Sequence, residues 1–278
     1  MSTTPNPSTW STTPAAATSS DSSTAATAAD SSTAATAADS STAATAADSS
    51  TAPESSTAGT ASNDCPVDPA VRVTRSLLGY GVIAGPFYVV VSLAQALTRE
   101  GFDLTRHAWS TLANGSLGWI QVANLVLTGL MVGAFAVGLR RALVSGAGFR
   151  WVPRLVAVFG AGLVLAGIFR ADPGDGFPVG SSAPTVPSTD GMLHLLTAGI
   201  GFVALAAAMI VVARRFAWQR RPLGAVLSSA AAVALLGGFV AISSAPGTDG
   251  VLAFTAGIVV AWTWVSAFAV DTYRRTAA

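Results

Sequence analysis

The sequence predicts an all-α fold: a polytopic membrane bundle of six helices behind a disordered N-terminal tail. Three observations carry this expectation. Of 278 residues, 51% are hydrophobic and only 10% are charged, with a mean hydropathy of +0.55, whereas a soluble globular chain carries roughly a quarter charged residues. The apolar residues gather into six runs separated by polar breaks. The cationic residues, all arginine, sit at the ends of those runs. An ordinary water-soluble domain is excluded.

Residues 1–70 read as a tail. Segments 22–30, 31–39 and 40–48 are each Ser-Ser-Thr-Ala-Ala-Thr-Ala-Ala-Asp, and Ser49 begins a fourth copy. A nine-residue period fits neither a heptad nor a solenoid unit. With no Leu, Ile, Val or aromatic residue the repeat cannot build a core, so disorder is expected. The alternatives are a plain solvated extension and a Ser/Thr-rich acceptor for glycosylation or phosphorylation. Residues 1–71 carry acids and no base. The lone cysteine, Cys65, rules out an intramolecular disulfide and a cysteine metal cluster. The Ala-Ser-Asn-Asp before it lacks the apolar stretch of a lipoprotein signal, and no apolar core of a signal peptide precedes it.

The spans follow in order, at about 77–97, 119–139, 153–169, 191–213, 223–242 and 251–270. Most have the roughly twenty residues that a hydrocarbon core of about 30 Å demands. Span one follows Arg72 and Arg75 and carries Gly81 and Gly85 at helix-packing spacing. Span two opens at Trp119, repeats that spacing at Gly129 and Gly133, and closes on Arg140-Arg141. Such small residues let backbones approach in lipid, within a monomer or across a dimer, and oligomeric state stays open. Span three is the shortest. Fifteen residues separate Arg154 from Arg170, so these side chains must snorkel to the interfaces. Span four ends in Arg214-Arg215; span five follows Arg220-Arg221; span six ends at Tyr273 and Arg274-Arg275. Trp119, Trp151 and Tyr273 mark interfaces.

Arginine also sets the orientation. Twelve of the fifteen fall on one set of breaks, and only Arg99, Arg106 and Arg170 on the other. The positive-inside rule makes the crowded side cytoplasmic, with both termini inside the cell and the protein multi-pass in the plasma (inner) membrane. Basic residues placed this way report topology, and no nucleic-acid partner is expected.

Thr189-Asp190-Gly191 and Thr248-Asp249-Gly250 each precede a Thr-Ala-Gly-Ile run and a helix ending in paired arginines. The domain therefore reads as three helical hairpins of the same sense, unlike an inverted repeat. Independent use of Asp at helix starts explains the same pattern.

No Asp, Glu, Lys or Arg falls near a bilayer midplane, which weighs against a proton-coupled transporter. Gln95, Gln121, Asn124 and Thr128 are explained by interhelical hydrogen bonds. Polar chemistry collects on the outer side instead: Arg99, Glu100, Asp103, Arg106, His107, Trp109, Ser110 and Asn114 in the first loop, then Arg170, Asp172, Asp175 and Asp190, with His194 one turn into span four, and Asp249. Both histidines lie on one side, where with the carboxylates they could form an acid/base or metal site. The plainer account is also available: Asp172-Pro-Gly-Asp175-Gly is turn chemistry, and Asp190 and Asp249 suit helix caps. No zinc or calcium-loop spacing occurs, so neither metal nor cofactor is expected.

Three features resemble one family: Arg106-His107-Ala108-Trp109-Ser110-Thr111-Leu112 with a glycine soon after; Gly167-Ile168-Phe169 through Asp172 to Gly176; and His194 at the start of the next span. Together they resemble the bacterial six-span membrane proteins known only as domain of unknown function 998. The likeness covers about residues 75–272 and excludes the tail. It implies an all-helical integral membrane protein without established activity, with His107, Ser110, Asp172 and His194 as the positions of any shared site.

The expected function is non-enzymatic binding of a lipid, small molecule or partner through an outer-face pocket, with Asp103, Arg106, His107, Ser110, Asp172 and His194 as candidate binding residues and membrane lipids as surroundings. The alternative is a membrane-embedded lipid hydrolase or transferase. There His107 and His194 would act as acid/base or metal ligands with Asp172 as partner, which requires the three to converge. A transporter ranks third.

Overall fold

The computed structural model describes residues 68–244 and 247–276. The repeats, the tail's expected disorder and Cys65 lie outside the described residues. Six helices, long and apolar enough to cross a membrane, make up the described chain: α1 (Pro69–Thr98), α2 (Gly118–Ala142), α3 (Trp151–Ile168), α4 (Thr189–Trp218), α5 (Pro222–Ser244) and α6 (Thr248–Arg275). A 3-10 turn, Trp109–Ala113, interrupts the first long loop. The all-α six-span membrane fold read from the sequence is the fold observed.

Local chemistry sets the helix ends. Asp68 caps α1 by accepting from the Ala70 N–H at 2.8 Å, with Pro69 in the first turn, where its missing donor costs nothing. Ser188 caps α4 through the Gly191 N–H at 2.9 Å. The two Thr-Asp-Gly triplets open α4 and α6, so each Asp lies in a first turn, at the positive end of the helix dipole. The paired arginines close α2 and α6 at the negative end. Several helices outrun their apolar runs. Helix α1 starts eight residues before Leu77, because polar flanks that leave the hydrocarbon can still hydrogen-bond as helix. Helix α3 has 18 residues, about 27 Å at 1.5 Å per residue. Arg154 and Arg170 at its ends are exposed, as snorkelling demands. Trp119 and Trp151 are exposed near helix ends, while the Tyr273 ring lies 4.5 Å beneath the Arg75 guanidinium and ties α6 to α1.

Each helix packs on its neighbours in chain order, and α1 packs on α6, so the six form a ring. The hydrophobic effect does not hold helices together in lipid; close van der Waals contact does. A glycine sits at each seam. A Cβ on Gly138 would lie 2.9 Å from the Leu78 N, on Gly160 2.8 Å from the Gly129 O, and on Gly162 2.9 Å from the Thr197 O. Gly224 meets the Phe216 ring at 2.8 Å, Gly238 meets the Ala253 O at 2.6 Å, and Gly85 meets the Trp262 O at 3.0 Å. Of the four glycines the sequence marks as packing pairs, Gly81, Gly85 and Gly129 are thus spent inside one chain. Gly133 has open space around it.

A polar seam joins α1 to α2. Gln95 Nε2 donates to Gln121 Oε1 at 2.8 Å, and Asn124 Nδ2 donates to Ser92 Oγ at 3.1 Å and to the Tyr88 carbonyl at 3.2 Å. Thr128 Oγ1 extends the chain to Asn124 Oδ1 at 3.3 Å. All are buried, and interhelical bonding is the role they take. At the arginine-rich end Arg221 grips Asp271 with two nitrogens, at 3.1 and 2.8 Å, joining the start of α5 to the end of α6.

The glycine seams give a paired expectation for thermal melts in detergent. Gly160→Ala drives a Cβ into the Gly129 carbonyl and should lower stability by about 1–3 kcal/mol. Gly133→Ala, in open space, should leave the melt unchanged or raise it slightly.

Candidate functional site

At the end opposite the paired arginines, the two long loops lock together. Residues 174–177 form a tight two-residue turn, with Asp175 and Gly176 at φ of 55° and 90°. Gly174 and Phe177 exchange backbone hydrogen bonds at 3.2 and 3.0 Å. This is the Asp-Gly chemistry of a type I′ turn, where both central residues must adopt positive φ. The turn presents Asp175 to the first loop. Arg106 takes its carboxylate through Nε at 3.0 Å and Nη2 at 2.9 Å. This hydrogen bond holds the Asp175 carboxyl below the usual range. The Asp103 carboxyl is likewise lowered, chiefly by the Thr105 N–H and hydroxyl.

His107 is the buried pin of this clamp. Its Nδ1 accepts from the Asp103 N–H at 2.9 Å, so the proton resides on Nε2, which donates to the Asp175 carbonyl at 3.2 Å. The ring packs between Phe102 and Phe177, with centroids at 5.3 and 5.6 Å. Arg99 lies 4.8 Å over the Phe177 ring and donates to the Leu112 and Asn114 carbonyls. Asn114 in turn donates to the Ala171 carbonyl at 3.0 Å, fastening one loop to the other again.

Below the clamp the ring is hollow. A cavity of about 500 Å³ is lined by residues of all six helices, within the usual range for ligand sites. Its walls are aromatic and aliphatic, including Tyr88, Phe159, Phe202, Leu235 and Trp262. Along α4 the lining residues run from Gly191 to Leu205, about 21 Å by helical rise. Nearer the arginine-rich end the ring is filled, where Phe268 meets Phe135 and Phe216 at 6.4 Å and stacks on Trp264 at 5.2 Å.

The cavity's polar lining includes Tyr88 and Thr255 within the helices and a cluster near the loops. Ser110, Asp172 and His194 are among its lining residues. Both Asp172 oxygens are already engaged: Oδ2 accepts from the Ser188 N–H at 2.9 Å and Oδ1 from the Ser188 hydroxyl at 2.5 Å. Gly191 is required here, because any Cβ would collide with the Asp172 carboxylate. His194 is buried, with Nδ1 at 2.9 Å from both the Ala166 and Phe169 carbonyls. Carbonyls only accept, so Nδ1 carries the proton and satisfies the orphan end of α3. Among the described residues Nε2 has no partner.

The candidate residues therefore fall into two groups. Ser110, Asp172 and His194 line the cavity; Asp103, Arg106 and His107 build the clamp beside it. No side-chain hydrogen bond joins His107, Asp172 and His194 among the described residues. No cluster of three or more His, Cys, Asp or Glu suited to a metal occurs there either. The residues that sequence reasoning missed are the lumen aromatics Tyr88, Phe159 and Trp262, and Ser188. For Ser188 a signal existed, since it precedes an acidic helix start.

A ring of six spanning helices around an apolar lumen defines a polytopic helical membrane protein. The family model described as "Protein of unknown function (DUF998)" matches residues 82–271, and the chain belongs to that family. No curated protein and no solved structure matches the chain.

Removing the buried pin should loosen the clamp. His107→Ala is expected to cost about 1–3 kcal/mol of stability and to raise hydrogen exchange, corrected for intrinsic rates, across residues 99–117 and 169–188. The Arg106–Asp175 pair is exposed, and Asp175→Asn should cost less. Because the Asp175 carboxyl is lowered in the fold, its contribution is full above the ordinary carboxylate range and is lost as pH falls below about 4. Exchange in these loops should rise there in the native protein and change less in Asp175→Asn.

Proposed function

We propose that the protein is a non-enzymatic lipid-binding protein of the plasma membrane, holding one apolar chain in its lumen with the ligand's polar end near Ser110, Asp172 and His194. The carrying observation is the cavity of about 500 Å³ walled by apolar side chains from every helix. Apolar cavities exclude water and accept apolar guests, and a bilayer supplies such guests at high concentration. The reach of the lining along α4, about 21 Å, favours an extended chain over a compact metabolite. The aromatic plug at Phe135, Phe216 and Phe268 supports retention over passage through the ring. An enzyme would need His107 beside His194, whereas His107 has both ring nitrogens committed to Asp103 and Asp175.

The arginine bias supports cytoplasmic termini, which opens the lumen toward the exterior. Mass spectrometry of the purified full chain, native and Ala198→Trp, tests the binding. Ala198 lines the cavity, and the indole should obstruct it. The expected result is an apolar species bound near one per chain in the native protein and at least tenfold less in the variant. Equal loading of both proteins would overturn the proposal.

A further inference from the structure

Resting on that lumen reading, we infer that the ligand is an uncharged lipid alcohol, a molecule of the diacylglycerol class whose free hydroxyl meets His194, and not a phospholipid anchored by its phosphate. The first ground is charge. Asp172 is the one charged side chain among the residues lining the cavity, and it is an acid. A phosphate brought there would be desolvated beside a carboxylate, with no lining cation to compensate. The second ground is the start of α4. A free helix N-terminus attracts anions, but here the chain supplies its own: Ser188 takes the Gly191 N–H, and Asp172 takes the Ser188 N–H and hydroxyl. The place a phosphate would seek is filled.

The third ground is His194. Two carbonyls fix the proton on Nδ1, so in the neutral ring Nε2 is a lone-pair acceptor. It lies on the ring edge turned away from those carbonyls, and His194 lines the cavity. An acceptor in an apolar lumen calls for a donor on the ligand. A lipid hydroxyl donates, whereas an ester, a quinone or a phosphodiester does not. Ser110 beside the mouth can accept or donate to the same group. Anionic headgroups fit the other end of the bundle better. There a second cavity of about 310 Å³ is lined by Arg141, Arg215 and Arg275, with Asp271 its one acid.

The experiment compares two lipids with identical acyl chains, differing only in the phosphate. The full-length protein is reconstituted in phosphatidylcholine vesicles doped equally with diacylglycerol and phosphatidic acid. It is then repurified, and retained lipid per chain is counted by mass spectrometry. Diacylglycerol should be enriched about tenfold over phosphatidic acid, the weight of one hydrogen bond in a dry site. His194→Asn keeps a donor near the Nδ1 position for the α3 carbonyls but lacks the Nε2 acceptor; with an unchanged melt it should lose that preference. Ala198→Trp should retain neither lipid. Phosphatidic acid enriched as strongly as diacylglycerol, or an unaltered preference in His194→Asn, would overturn the inference. A different apolar species that Ala198→Trp expels would sink the alcohol assignment while keeping the lumen reading. Equal lipid in native and Ala198→Trp protein would sink both.

Discussion

Close approach of backbones at glycine is the constraint on which the rest of the molecule depends. Water does not drive these helices together, since the lipid is as apolar as their side chains. Contact must come from surfaces that fit, and at each seam of the ring a glycine removes the Cβ that would hold two helices apart. Where α2 crosses α3, Gly129 and Gly160 face each other's carbonyls. Where α6 returns to α1, Gly85 lies against Trp262 and Ser266. Six narrow seams in chain order bring the last helix back to the first. A ring of this kind has a middle, and its contents decide what the protein can do.

The middle is solid at one end and hollow at the other. Phe135, Phe216 and Phe268 fill the arginine-rich half, while smaller lining residues such as Gly162, Ala166, Ala198 and Gly201 leave space toward the loops. The loop clamp stands at the hollow end. The Arg106–Asp175 grip and the His107 pin help set the positions of Ser110 and Asp172, which belong to the cavity together with Trp109 and Ala171 beside them. A short motif thus divides its labour: Arg106 and His107 hold loops together, and Trp109 and Ser110 face the lumen.

Much of the architecture was legible in the amino-acid order because lipid imposes simple rules. Twenty apolar residues between arginine-bearing breaks read as a span, and the six helices fall where those runs lie. The helix ends were less legible: α1 and α4 continue into polar flanks that hydropathy counts as loop. The site was half legible. Polar residues reveal which end of the membrane they occupy, but not which way they face, so His107 and His194 looked equivalent. Only three-dimensional packing separates a histidine pinned between loops from one lining the lumen. The aromatic wall gave no signal, because Tyr88 or Trp262 reads the same in sequence whether it faces lipid or cavity. In a soluble helix a polar stripe marks the outside; here both faces are apolar.

Closure of the ring between α1 and α6 is the claim most directly open to measurement. The Arg75 guanidinium lies 4.5 Å over the Tyr273 ring across the same seam, away from its glycine. Arg75→Cys with Tyr273→Cys, in a Cys65→Ser background, should be bridged within one chain nearly completely by a short bifunctional maleimide in membranes. If the pair stays unbridged while each cysteine alone is labelled and the protein remains folded, α1 and α6 do not meet there and the ring is open at that seam.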